Sequence, residues 1–195
     1  MPEMVRAFVA IELDPSLLRA LEDLMTRLQK ALPPGALRWV RSEGIHLTLQ
    51  FLGNVPADRV PAIVRALEEA CAEVPPLTME VRGLGCFPNL QRPNVLWVGV
   101  EERTGQLLRL QKHVAQALEP LGFEPDRRGF HPHLTLARTA RGARPSDLRQ
   151  IGTWVAGAKP LSLGTLQADH VSLMRSDLRP DGAVYTRLAA VPLKG

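Results

Sequence analysis

Two periods of apolar residues alternate along this chain, and together they predict nearly every element. Arg6 to Leu13 reads as a strand rich in β-formers. Asp14-Pro15 then gives an N-cap followed by proline in the first helical turn, and Leu17, Leu21, Leu24 and Leu28 recur at helical spacing up to Ala31. Pro33-Pro34-Gly35 stops that helix. The spacing next predicts a short strand over Leu37 to Val40, a turn at Ser42 to Gly44 and a strand over Ile45 to Leu52. A helix over Ala57 to Glu73 and a strand over Leu77 to Leu84 follow. Gly85 to Pro93 reads as a turn-rich connection.

After it the pattern starts over. A strand over Val95 to Val100, a helix over Gly105 to Leu118, a strand over His131 to Arg138 and a helix over Ser146 to Val155 are predicted. Two closing strands complete the chain: one over Leu161 to Met174 with a break, and one over Ala183 to Val191. Pro180-Asp181-Gly182 forms a hairpin turn between them. Each half therefore reads strand, helix, strand, helix, strand, and Phe8 precedes His46 by 38 residues much as Trp97 precedes His133 by 36. An internal duplication follows, and we expect one bilobal α+β domain over residues 1–195 with two pseudo-symmetric lobes.

The two halves share a word, His-Leu-Thr-Leu, at residues 46–49 and again at 133–136. In a strand, successive side chains point to opposite faces, so each copy turns its leucines toward a core and its His and Thr toward a front. Paired imidazoles titrate near neutrality and suit general acid and base catalysis together. Placed on opposite walls of a cleft, they fit in-line displacement at phosphorus. Thr48 and Thr135 would donate hydrogen bonds to the non-bridging oxygens, and Arg138 would balance their charge. Such a site needs no metal or cofactor.

Composition narrows the substrate. The formal charge is +4 with a pI near 9.6, and 20 of the 24 basic residues are arginine. Five of these (Arg127, Arg128, Arg138, Arg141 and Arg144) surround the second motif with no acid among them. Guanidinium forks match phosphate oxygens, so an anionic substrate is expected. Arg127 and Arg128 are candidates for tracking a nucleic-acid backbone or for a solvated turn. No apolar run approaches the length of a membrane span, and no signal-like start is seen, so a cytoplasmic protein without a membrane partner is expected. Cys71 and Cys86 form no Cys-x-x-Cys pair. No Gly-rich Lys-Ser/Thr loop is present to drive a ligase with ATP. Trp39, Trp97 and Trp154 are expected in cores, and His113 and His170 as surface or structural residues.

The motif pair, with Phe51-Leu52-Gly53 after the first copy and Ala137-Arg138 after the second, resembles the two-histidine phosphoesterase superfamily. Within it the chain is similar to the RNA 2′,3′-cyclic phosphodiesterases, also called 2′-5′ RNA ligases. Arg6-x-Phe8, Arg38-Trp39-Val40, Cys86-Phe87-Pro88, Arg92-Pro93-x-Val95-Leu96-Trp97 and Gly182-x-x-Tyr185 extend the likeness nearly end to end. The resemblance implies duplicated antiparallel sheets with helices outside and an active-site cleft between the lobes. It implies action on RNA with a 2′,3′-cyclic phosphate terminus, which water opens to a 2′-phosphate; a monomer is expected. His46 would be the general acid toward O3′ and His133 the general base toward water. Arg138 would clamp the phosphate, and Phe51 would stack on the terminal base. In an ideal strand Phe51 falls on the leucine face, so this role requires the strand to end or bulge before it. Joining of cyclic-phosphate and 5′-hydroxyl ends through a 2′-5′ linkage is the implied second activity.

Overall fold

The structure, a computed structural model, describes residues 3–126, 129–179 and 182–195. Arg127, Arg128 and the Pro180-Asp181 part of the predicted hairpin turn lie outside the described residues. Nine strands form two antiparallel sheets among them. The first sheet has the order β3 (His46–Pro56), β1 (Met4–Glu12), β8 (His170–Arg179), β9 (Gly182–Pro192). The second has the order β2 (Leu37–Trp39), β6 (His133–Thr139), β5 (Val95–Glu101), β4 (Leu77–Phe87), β7 (Ser162–Ala168).

The helices are amphipathic for the reason the spacing gives. Asp14 accepts from the backbone N–H groups of Ser16 and Leu17 at 2.9 and 3.0 Å, starting α1 (Pro15–Ala31), and Leu17, Leu21, Leu24 and Leu28 are all buried. α1 packs on β7, and α4 (Pro145–Ala156) packs on β4. α2 (Val60–Cys71) and α3 (Gln106–Leu118) pack on each other, with α2 against β8 and β9 and α3 against β3. The helices thus cover the outer faces, and the inner faces bound the cleft between two pseudo-symmetric lobes.

The lobes do not coincide with the sequence halves. β4, from the first half, pairs with β5 of the second, while β8, from the second half, pairs with β1 of the first. The order β3-β1-β8-β9 in one sheet corresponds to β6-β5-β4-β7 in the other, and each half gives two strands to the opposite lobe, β2 and β4 from the first and β8 and β9 from the second. The predicted break before Met174 is the crossing point: the closing segment splits at Asp169 into β7 of the second sheet and β8 of the first. β4 also runs on to Phe87, beyond the expected end at Leu84, with Gly85 opposite Trp97. Glycine is a poor strand former, but a Cβ at Gly85 would sit 2.3 Å from the Trp97 ring, so the ring's position requires it. Among the described residues β2 has no counterpart in the first sheet. Both cysteines are buried and unpaired, and burial pushes each thiol up to about 11. Among the described residues no helix is long and apolar enough to cross a membrane.

Candidate active site

Both motifs are strands with the predicted faces. Leu47, Leu49, Leu134 and Leu136 are buried, whereas His46, Thr48, His133 and Thr135 are half-buried on the inner side. β3 and β6 lie next to each other across the junction of the two sheets. Each His is held in the same way. The Nδ1 of His46 bonds the Gly44 carbonyl at 2.7 Å, and the Nδ1 of His133 bonds the His131 carbonyl at 2.6 Å. A carbonyl only accepts, so Nδ1 carries the proton and donates, leaving Nε2 of each neutral ring as a free base.

The rings sit in matching aromatic frames. Phe8 stacks on His46 at 4.6 Å between centroids and Tyr185 meets it edge-on at 5.0 Å. Phe87 meets His133 edge-on at 4.8 Å, with Trp97 at 6.2 Å. Trp97, expected in a core, is therefore a wall of the second histidine. Its partner position in β5 is fixed by pairing with Thr135, which brings it to the cleft side.

Burial lowers the pKa of both imidazoles. For His46, desolvation dominates; its bond to the Gly44 carbonyl and the Glu12 carboxylate oppose the shift, and His133 reinforces it. For His133, desolvation again dominates, opposed by the His131 carbonyl and reinforced by Arg138 and His131. His46 thus feels the charge of His133 across the cleft, and Arg138 lies within electrostatic reach of His133. Glu12, directly opposite His46 in the β1–β3 register, is itself bridged to Arg187 at 3.0 Å and accepts from Ser172 at 2.5 Å.

Phe51 reaches the cleft by a β-bulge. In the β1–β3 pairing Ala10 is opposite Thr48 and Val9 opposite Gln50, so Leu49 is the extra residue. Leu49 and Gln50 are both buried, and the alternation resumes one residue late, leaving Phe51 65% exposed on the His46 side, 6.1 Å from Phe8. The second motif repeats the device: Trp97 is opposite Thr135 and Leu96 opposite Ala137, with Leu136 extra. Arg138 consequently occupies in the second copy the position that Phe51 holds in the first. Neither the Thr48 nor the Thr135 hydroxyl has a hydrogen-bond partner among the described residues, so both are open to a ligand.

One placement departs from the sequence order. Arg38 precedes the first motif, but it lies directly opposite Arg138 in the β2–β6 register, in the second lobe. The residues that sequence reasoning left out of the site are Phe8, Glu12, Phe87, Trp97 and Tyr185. Four of the five are aromatics of the flanking matches, so the signal was present in Arg6-x-Phe8, Cys86-Phe87-Pro88, Arg92-Pro93-x-Val95-Leu96-Trp97 and Gly182-x-x-Tyr185. An open groove of about 740 Å³ leads away from Gly44 and Tyr185 past Arg41 to Glu22 on α1. For metal binding His131 and His133 would need a further ligand, and no group of three suitable side chains exists among the described residues.

The 2′-5′ RNA ligase superfamily model matches residues 13–180. An RNA 2′,3′-cyclic phosphodiesterase of Methanothermobacter thermautotrophicus is 32% identical over 184 residues, 93% of this chain and 95% of the relative. One from Archaeoglobus fulgidus is also 32% identical, over 94% of this chain and 98% of its own length. Among solved structures, TT0787 of Thermus thermophilus superposes with a TM-score of 0.78 at 28% identity, covering 97% of this chain and 98% of that one. The Escherichia coli LigT protein superposes with a TM-score of 0.76 at 26% identity, covering 99% of each chain.

Proposed function

Since the chain belongs to the 2′-5′ RNA ligase superfamily of two-histidine phosphoesterases, we propose that it hydrolyses RNA 2′,3′-cyclic phosphate ends to 2′-phosphomonoesters. The observation that carries this is the imidazole pair. Two rings, each with Nδ1 tied to a carbonyl and Nε2 free, face one cleft, and His46 senses the charge of His133 across it.

Water attacks phosphorus and the P–O3′ bond breaks, leaving the phosphate on O2′. His133 Nε2 takes the proton from water as the new O–P bond forms. His46, protonated on Nε2, gives its proton to the departing O3′, so charge and protons balance in one turnover. Local charges support this division of roles. The Glu12 carboxylate favours the protonated form of His46, and the Arg138 guanidinium favours the neutral form of His133. Thr48, Thr135 and Arg138 stabilise the non-bridging oxygens as their charge grows. Phe51 offers its exposed ring to the terminal base. A 5′-hydroxyl in place of water would give a 2′-5′ linkage by the same proton transfers.

The test is product analysis on an RNA with a 2′,3′-cyclic end, together with His46→Ala and His133→Ala. Each variant should lose at least about a hundredfold in turnover, as expected for removal of a general acid or base, with circular dichroism unchanged. A 3′-phosphate product would reverse the two histidine roles. Tight binding of the RNA with no turnover by the wild-type protein would mark an RNA-end-binding module instead.

A further inference from the structure

We propose that Arg38 binds a second phosphate of the RNA, the 3′-5′ diester that joins the terminal nucleotide to its neighbour. The proposal rests on the reading of the cleft as an RNA-end site and extends it to the chain behind the end. Three observations carry it.

β2 is the strand that breaks the pseudo-symmetry. The first sheet ends at β3, but the second continues past β6 to β2. β2 is three residues long: Leu37 is buried, Trp39 packs against the core, and Arg38 is the exposed one. The strand is anchored at both ends, by Val40 N–H to the Leu136 carbonyl at 3.0 Å and by Ala140 N–H to the Ala36 carbonyl at 2.9 Å. The unduplicated strand thus presents a single side chain to the face that carries Arg138.

Arg38 and Arg138 are direct register partners. Residues opposite each other in an antiparallel pair share a face with Cβ atoms roughly 5 Å apart, and like charges so placed repel. Anionic charge brought against each guanidinium removes that penalty. Three other arginines on the sheets have carboxylate partners, Arg82 with Glu80 and Glu101, Arg175 with Asp177 and Glu3, and Arg187 with Glu12, whereas Arg6 and Arg179 stand singly without one among the described residues. Neither Arg38 nor Arg138 has a carboxylate partner among the described residues.

The order of groups sets which phosphate each takes. Moving out from His133 along and across the sheet come Thr135, then Arg138, then Arg38 on the edge strand. A cyclic phosphate carries one negative charge, which Arg138 balances. The next charge along an RNA strand is the adjacent diester, and the guanidinium placed to meet it is Arg38.

The test compares Arg38→Ala, Arg38→Lys and wild type on two substrates: a nucleoside 2′,3′-cyclic phosphate, which has no second phosphate, and a short RNA with the same end. Arg38→Ala should lower the ratio of kcat/KM for RNA over mononucleotide by about tenfold, mainly through KM, the scale of one charge-assisted contact. The slope of log(kcat/KM) for RNA against log[salt] should become shallower by about 0.7, the value for one phosphate on a single strand. Arg38→Lys should keep the slope. An unchanged ratio, or equal losses on both substrates, would overturn the proposal. Binding of an RNA ending in a 2′-phosphate, compared with binding of a nucleoside 2′-phosphate, gives the same ratio without turnover. An inert wild type whose RNA binding still depends on Arg38 would refute the hydrolytic function and leave this inference standing.

Discussion

Gly85→Ala is the substitution that best tests how the fold builds the wall of the second histidine. An ideal Cβ at this position would lie 2.3 Å from both Cη2 and Cζ2 of Trp97 and 2.8 Å from its Cε2. These are atoms of a rigid ring, so the overlap of more than 1 Å cannot be relieved by a flexible side-chain end. The ring is also confined by Phe87 at 5.1 Å between centroids, and Phe87 in turn meets His133 at 4.8 Å. Overpacking of this kind costs about 1–3 kcal/mol. For a chain of this length that corresponds to a melting temperature lowered by roughly 2–12 °C. The displaced ring pushes on the frame of His133, and a 1 Å misplacement of a reacting group costs on the order of a hundredfold in rate. Urea unfolding should therefore show a lower midpoint with an unchanged m-value, and hydrolysis of a 2′,3′-cyclic end should fall more than stability does. Trp97→Phe removes the atoms that clash, so the double variant should be more stable than the sum of the two single effects predicts. Wild-type stability and activity in Gly85→Ala, or strict additivity in the double variant, would refute the packing argument.

Three further outcomes follow from the site. Both histidine pKa values lie below the ordinary 6.5, so kcat/KM should rise as His133 loses its proton, fall as His46 loses its own, and peak on the acid side of that value. Glu12→Gln should move the descending limb further to acid, and a plateau extending above pH 8 would contradict the assignment. The same depressed values mean that the folded state binds fewer of these protons than the unfolded chain, so stability from the neutral rings is lost as pH falls below 6.5; thermal melts in phosphate-free buffer measure this. Phe51→Ala should leave stability within about 0.5 kcal/mol, since the ring is exposed, yet raise KM by about tenfold through lost stacking; an unchanged KM would remove Phe51 from the site.

The local periods carried most of the secondary structure. Helical spacing in α1 and strict alternation in the two motifs are properties of single segments, and the leucines are buried where alternation puts them. The placement of Phe51 was not legible in this way. Its face depends on the extra residue at Leu49, and a bulge exists only relative to the partner strand. The extension of β4 through Gly85 was hidden for a related reason. Glycine lowers strand propensity locally, while the demand for it comes from a tryptophan on another strand.

The sequence by itself determined the two His-x-Thr faces, the leucine backs that anchor them and the duplicated order of elements, because side-chain direction along a strand follows from backbone geometry alone. Only the tertiary structure decided that β2, β4, β8 and β9 change lobes, that Glu12 stands beside His46, and that Arg38 faces Arg138 across about a hundred residues of chain. Register between distant strands is set by the pairing of backbone groups and the packing of both sheet faces together, and no period within a single segment encodes it.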